Sequence, residues 1–227
     1  MCGRYVLYGP DARLIETFDI RDLPGLPPRY NIAPTADILV VLRGASGERI
    51  ARAMRWGLVP AWAKDPAIGA RLNNARAETV DSKPAFRAAF GARRCLIPAS
   101  GFYEWQAPAA ARGRKQPWYV SPSDRPFFAF AGLMERWGPR EAPLYTACIV
   151  TTDANALMAP IHDRMPVILA RGTWSAWLDP ATPVADARAL LRPAPIEGMQ
   201  AWPVSLAVSN ARNEGPQLIE RAQAAQP

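Results

Sequence analysis

Proline and glycine break this chain into short apolar runs, and that punctuation limits the fold more than any other feature. There are 24 prolines and 15 glycines in 227 residues. Proline lacks the N–H that a helix interior needs, and both residues favour turns. Between the breaks lie runs of strand length and strand composition, at 38–42, 95–98, 102–105, 127–133, 145–151 and 167–170. A turn at 44–47 ends the first, and a Ser100–Gly101 turn separates the second from the third. Helix signals are few. Asp11 can cap a helix with Leu14, Ile15 and Phe18 on its inner side. Ser82, with Pro84 in the first turn, opens a second helix that buries Phe86, Ala89 and Phe90 and stops at Gly91. Asp153 can cap a single turn through Met158, and Thr173 a helix carrying Trp174, Trp177 and Leu178. Residues 23–28 and 106–116 read as loops, the latter polar and exposed. No repeat is present. The pattern predicts a strand-dominated α+β fold, one domain over 1–220, with a frayed tail at 221–227.

Composition narrows the function. Hydrophobic content of 49% is globular. No run approaches the length of a membrane span, and the start lacks the pattern of a signal peptide. Cys2, Cys95 and Cys148 are an odd number and far apart, which predicts reduced thiols in the cytoplasm. A single histidine without paired cysteines argues against a structural zinc site, and nothing calls for a cofactor. The net charge is +7, which favours an anionic partner, most commonly nucleic acid. Lysine occurs only at Lys64, Lys83 and Lys115, so arginine carries the charge. Arginine suits bidentate phosphate contacts and stacking. An Ala-, Arg- and Pro-rich bias would give the same balance, so charge alone leaves both readings open.

Cys2 follows the initiator methionine and precedes Gly3. Methionine ahead of a small side chain is normally removed, which would expose an N-terminal cysteine. Such a residue carries an α-amine with a reference pKa of about 7.7–8.0 beside a thiol near 8.5. The amine can condense with an aldehyde and the thiol can then close a thiazolidine ring. Alternatively, the amine can act as base for its own thiol in acyl transfer. By position alone, Cys2 could equally be a small early residue.

Four other segments carry chemistry-bearing side chains. His162, the only histidine, lies in Ile161-His162-Asp163-Arg164-Met165-Pro166 and is the one available imidazole acid or base. Glu104 lies in Gly101-Phe102-Tyr103-Glu104-Trp105. Desolvation there would ready it as a proton donor, whereas strand alternation alone points it into water. Asn73-Asn74-Ala75-Arg76-Ala77-Glu78 puts amide, guanidinium and carboxylate together; Asn74 could orient a substrate atom and Arg76 could hold a phosphate. Arg55-Trp56-Gly57-Leu58-Val59-Pro60-Ala61-Trp62 mixes cations with aromatics, the means by which single strands are held and stacked. Trp56 is assigned to the core and Trp62 to the surface.

These segments occur in one order with Met1-Cys2-Gly3-Arg4-Tyr5, Arg29-Tyr30-Asn31-Ile32-Ala33-Pro34 and a closing Asn210-Ala211-Arg212-Asn213-Glu214-Gly215-Pro216. Together they resemble the SRAP family, the SOS-response-associated peptidases, from Cys2 to about Glu220. The resemblance implies a barrel-like sheet core with a few short helices. It also implies binding of single-stranded DNA and covalent capture of abasic sites, whose opened sugar exposes an aldehyde. On this resemblance Cys2 is the nucleophile, Asn74 positions the site, Glu104 assists ring opening and closure, and His162 shuttles protons. Arg4, Arg76 and Arg164 match arginines on the DNA backbone. Pro34 and Trp62 match contacts to displaced bases, and Thr151 or Thr152 matches a backbone contact. Two positions depart from the pattern: Ala63 stands where some members carry a second aromatic, and Lys83 stands in place of an arginine.

Two other classes of function remain. One is an amidohydrolase acting through Cys2, since class II glutamine amidotransferases also begin Met-Cys-Gly; nothing after Gly3 supports it. The other is a non-catalytic single-strand binder, whose binding would be salt-sensitive and never covalent.

Overall fold

The computed structural model describes residues 2–108 and 113–222. Its strands and helices run β1 (Arg4–Leu7), α1 (Asp11–Phe18), β2 (Arg29–Ile32), β3 (Asp37–Arg43), β4 (Arg49–Trp56), β5 (Asn74–Arg76), α2 (Arg87–Ala92), β6 (Arg94–Ala99), β7 (Gly101–Gln106), β8 (Gln116–Pro122), β9 (Phe128–Trp137), β10 (Leu144–Asp153), β11 (Arg164–Pro166), α3 (Trp174–Leu178), α4 (Val184–Ala189) and β12 (Met199–Pro203). The fold is strand-dominated α+β, as the sequence predicts.

Strands β10, β4, β3, β6 and β9 pair in that order, and β9 pairs back to β10 to close a barrel. Closure removes exposed edges. The barrel wall is lined by the longest apolar strands, where Val40, Val41, Leu96, Ile97, Phe130, Ala131, Ile149 and Val150 are fully buried. Strand β10 also pairs with β5 in parallel and with β11 antiparallel, so Asn74 to Arg76 are fixed at the end of a barrel strand. A second, antiparallel sheet in the order β12, β8, β7, β1, β2 lies beside the barrel. The chain passes from one sheet to the other at Ser100. That residue therefore forms a corner between sheets, and its Oγ is bonded to both the N–H and the carbonyl of Tyr8.

The outer face of the second sheet is covered as well. Val6, Tyr103 and Tyr119 pack against Val204, Val208 and Leu218 of the C-terminal segment. Asn31, fully buried, donates from Nδ2 to the carbonyls of Val208, Asn210 and Asn213 and so anchors that segment. Strand β7 is thus covered on both sides.

Several elements differ from the sequence expectation. Ser82 does not open a helix: residues 79–86 form turns, Ser82 Oγ donates to the Thr79 carbonyl, and α2 begins only at Arg87. Its apolar face is as expected, with Phe86, Ala89 and Phe90 buried, but Gly91 lies inside the helix and Arg93 ends it. The turn after β10 is capped by Asn155, whose Oδ1 accepts from Met158 N, because Asp153 is engaged in pairing with β11 and Arg164. Thr173 is at the start of its helix but turns its hydroxyl back to the Ala170 carbonyl. The run 167–170 meets β9 only through a bridge at Ile168, and the strand proper is β11 just before it. Of the 221–227 tail, residues 223–227 lie outside the described residues, while Arg221 bridges to Val204.

Candidate functional site

At one end of the second sheet is a cleft of about 420 Å³ lined by Gly3, Arg4, Glu104, Trp105, Lys115, His162 and Ser209. Three elements build it. Strand β1 begins with Arg4, so Cys2 and Gly3 enter from its N-terminal end. Its neighbour β7 runs antiparallel, with Arg4 opposite Tyr103, which brings Glu104 alongside. The loop between β10 and β11 carries His162 and is tied to the hairpin of β7 and β8 by a bond from Gln106 Nε2 to the Pro160 carbonyl at 2.9 Å.

Cys2 is fully buried, and its carbonyl accepts from Asn74 Nδ2 at 2.8 Å. Asn74 Oδ1 is buried without a hydrogen-bond partner, an acceptor left facing this region. Burial, with the Glu104 carboxylate adding to it, raises the Cys2 thiol well above its ordinary value. The sulfur is therefore a neutral thiol near pH 7 and needs a base when it reacts. The Met1 whose removal would free the amine lies outside the described residues.

Glu104 is only 2% exposed. Burial pushes its carboxyl up to about 7, with Asp163 adding a smaller upward push. A group poised there gives and takes a proton at neutral pH. His162 Nε2 stands 3.9 Å from Glu104 Oε2. Its Nδ1 accepts from the Arg164 backbone N–H at 3.0 Å, which assigns the ring proton of the neutral form to Nε2, facing Glu104. Asp163 Oδ1 lies 2.8 Å from the same Nδ1 and becomes a partner only when that nitrogen is protonated. Burial lowers the His162 pKa, and the charge of Lys115 also lowers it. The imidazole is thus neutral near pH 7, with a carboxylate positioned for its cationic form.

The carboxyl shift has a stability consequence. The folded pKa of Glu104 lies above the unfolded value of 4.5. Its contribution is therefore fully present below pH 4.5 and is lost as pH rises to about 7. The shift corresponds to about 3 kcal/mol. Glu104→Gln should raise the melting temperature relative to wild type at pH 8 and leave the two equal at pH 4.5. Equal melting temperatures at both pH values would show that Glu104 is not desolvated.

The remaining expected residues fall into three places. Arg4 is at the cleft: it donates to Asn31 Oδ1 at 2.7 Å and the Val208 carbonyl at 3.0 Å, and its guanidinium lies over the Trp105 ring at 5.7 Å. Trp62 is on the surface, 60% exposed, with its Nε1 donating to the Pro84 carbonyl, next to exposed Lys83. Trp56 is in the core. Pro34 lies in the turn after β2, followed by Thr35 at φ 75°. A β-branched residue there is strained, and such strain concentrates at functional positions.

The third group lies at the end of β10. Arg76 is exposed. Arg164 is held by both oxygens of Glu78, at 2.7 and 3.0 Å, by Asp153 Oδ1 at 2.8 Å and by the Thr151 carbonyl at 2.8 Å. Thr151 and Thr152 are buried. A phosphate would reach Arg164 only by displacing a carboxylate. Sequence reasoning passed over Lys115 and Trp105 as site residues and Asn31 as the anchor behind Arg4. The only signal for Asn31 was an amide within the strand-like run Tyr30-Asn31-Ile32.

A closed barrel flanked by a second sheet is an architecture shared with solved structures. A protein from Bacteroides thetaiotaomicron superposes with a TM-score of 0.85 at 25% identity, covering 98% of this chain and 100% of that one. A phage-related protein from Bordetella bronchiseptica superposes at 0.75 with 32% identity, covering 94% and 99%. Residues 1–211 match the SOS response associated peptidase (SRAP) family, and the chain belongs to it. Among its relatives, the abasic site processing protein YoqW of Bacillus subtilis (strain 168) is 43% identical, covering 97% of this chain and 99% of that protein. The abasic site processing protein HMCES of Gallus gallus is 33% identical, covering 96% and 77%.

Proposed function

We propose that this protein processes abasic sites in DNA, and that Cys2, freed of Met1, bonds covalently to the opened sugar of an abasic site in single-stranded DNA. The observation that carries this reading is that Glu104 and His162 line one cleft beside Gly3, while Cys2, buried next to them, is held through its carbonyl by Asn74 and feels the Glu104 charge. The relatives, named as abasic site processing proteins, support the substrate.

The chemistry follows from the groups present. The α-amine of Cys2 adds to the aldehyde carbon and gives a carbinolamine. Glu104, protonated, delivers its proton to the carbinolamine oxygen, and water leaves with the C–O bond. The resulting imine carbon is attacked by the Cys2 sulfur. The thiol proton passes to the Glu104 carboxylate as the C–S bond forms, and the C=N electron pair moves onto the nitrogen, which already carries its proton in the iminium left by the departing water. The product is a thiazolidine, and one water is lost in total. Asn74 holds the Cys2 carbonyl and so fixes the residue that reacts. His162, neutral at the start, presents its Nε2–H to the Glu104 carboxylate formed in that step and stabilises it until a proton returns, in ring closure and in ring opening alike. Arg4, Arg76, Lys83 and Arg164 would hold the backbone, and Pro34 and Trp62 would meet displaced bases. Removal of Met1 fits the peptidase in the family's description, with cleavage of other proteins secondary. The adduct would shield the lesion from nucleases.

Denaturing gel electrophoresis tests the reading. Incubation with abasic single-stranded DNA should give a covalent band, and undamaged DNA of the same sequence should give none. A salt-sensitive complex that disappears on denaturation would reduce the protein to a binder. Release of ammonia from glutamine without such a band would favour the amidohydrolase.

His162 bears on reversal. His162→Ala should slow exchange of a preformed adduct onto excess unlabelled abasic DNA at least as much as it slows formation, since no other imidazole exists. Exchange at the wild-type rate would make His162 structural.

A further inference from the structure

Lys115 lines the cleft together with Glu104, His162 and Arg4. It is the residue just before β8, and its neighbour Gln116 pairs with Gln106 at the end of the β7–β8 hairpin. Gln106 fixes this end in two directions. It donates to the Pro160 carbonyl on the His162 loop, and its Oε1 accepts from Trp118 Nε1 at 3.0 Å. The backbone carrying Lys115 is therefore held against the loop carrying His162.

The cations near the cleft differ in what already occupies them. Arg164 is already held by Glu78 and Asp153. Arg4 is committed to Asn31, the Val208 carbonyl and the Trp105 ring. Lys115 is exposed and forms no ion pair among the described residues. Its charge nonetheless acts on His162, one of the groups lowering that pKa. The cleft thus has a free ammonium on the same rim as its proton-transfer groups. An abasic sugar reacting at Glu104 and His162 carries one phosphate on its 3′ oxygen and one on its 5′ oxygen. Phosphate contacts are what set register on a nucleic acid chain.

We propose that Lys115 is a positioning residue that binds the phosphate flanking the abasic sugar and so sets the aldehyde against Cys2. This rests on the abasic-site reading above, and the test separates the two. The probe is a single strand containing a tetrahydrofuran abasic analogue, which has no aldehyde and binds without reacting. Lys115→Gln should weaken its binding about fivefold to tenfold. The slope of log affinity against log salt should become shallower by about 0.7, the value for one phosphate on a single strand. Lys115→Arg should restore both. Replacing one of the two flanking phosphates by a neutral methylphosphonate should weaken wild type by the same factor and leave Lys115→Gln unchanged, because the contact is already gone. With aldehyde-bearing DNA, Lys115→Gln should raise the DNA concentration for half-maximal crosslinking rate. A purely structural lysine moves neither the salt slope nor the methylphosphonate cycle. Losses that add independently at both flanking phosphates, or an unchanged salt slope, would overturn the assignment to Lys115. Failure of the wild type to prefer the abasic strand over an undamaged one would instead overturn the abasic-site reading, and this proposal with it.

Discussion

Untagged protein incubated with abasic single-stranded DNA should gain the mass of the strand less one water, and protein with an uncleaved tag ahead of Cys2 should gain nothing durable. The difference lies in one nitrogen. Behind a tag that nitrogen is an amide, which cannot condense with an aldehyde, although the thiol is untouched. Burial keeps the thiol protonated, so a thiol acting alone is also the weaker nucleophile at pH 7. Cys2→Ala separates the two functions in the other direction. Once Met1 is removed, it retains an α-amine and should form an imine that borohydride traps, with no stable adduct without reductant. Intact mass spectrometry of the three proteins reads all of this directly. A stable adduct on tagged protein at the untagged rate would eliminate the thiazolidine and leave a simple thiol nucleophile.

What the sequence disclosed about this site follows from how local each signal is. Cys2 was conspicuous because its position creates the chemistry, and His162 because it has no alternative. The orientation of Glu104 was not legible. Alternation puts a strand residue in water only when one face of the sheet is open. Here the barrel covers one face of β7, and Val208 and Leu218 reach over the other from about a hundred residues away. The barrel strands β6, β9 and β10 could be read because both faces of their apolar runs are buried. Strand β4 was hidden by arginines at 49, 52 and 55, and β11 was misplaced because its pairing with β10 outweighs the apolar run that follows it. Lys115 was hidden because it looks like the end of a polar loop; only the pairing of Gln116 with Gln106 brings it to the cleft.

The second large effect is expected at Glu104. Glu104→Gln keeps the shape of the side chain and its hydrogen-bonding capacity but cannot release or accept a proton. Crosslink formation at pH 7 should fall by about 10²–10⁴-fold, the usual contribution of a positioned acid or base, while affinity for the non-reacting strand is retained. The pH profile gives the more specific reading. In wild type the rate requires a free amine, which appears as pH rises through its reference pKa of about 7.7–8.0. It also requires a protonated Glu104, which disappears as pH rises through about 7. The product of the two is a bell with its apex between about 7 and 8. Glu104→Gln should lose the descending limb and keep the ascending one. The same variant should be more stable than wild type at pH 8, so unfolding cannot imitate the loss of rate. A variant that crosslinks more slowly yet keeps the full bell would assign the descending limb to another group. One that crosslinks at the wild-type rate would remove Glu104 from the mechanism and leave His162 as the only proton-transfer group in the cleft to be tested.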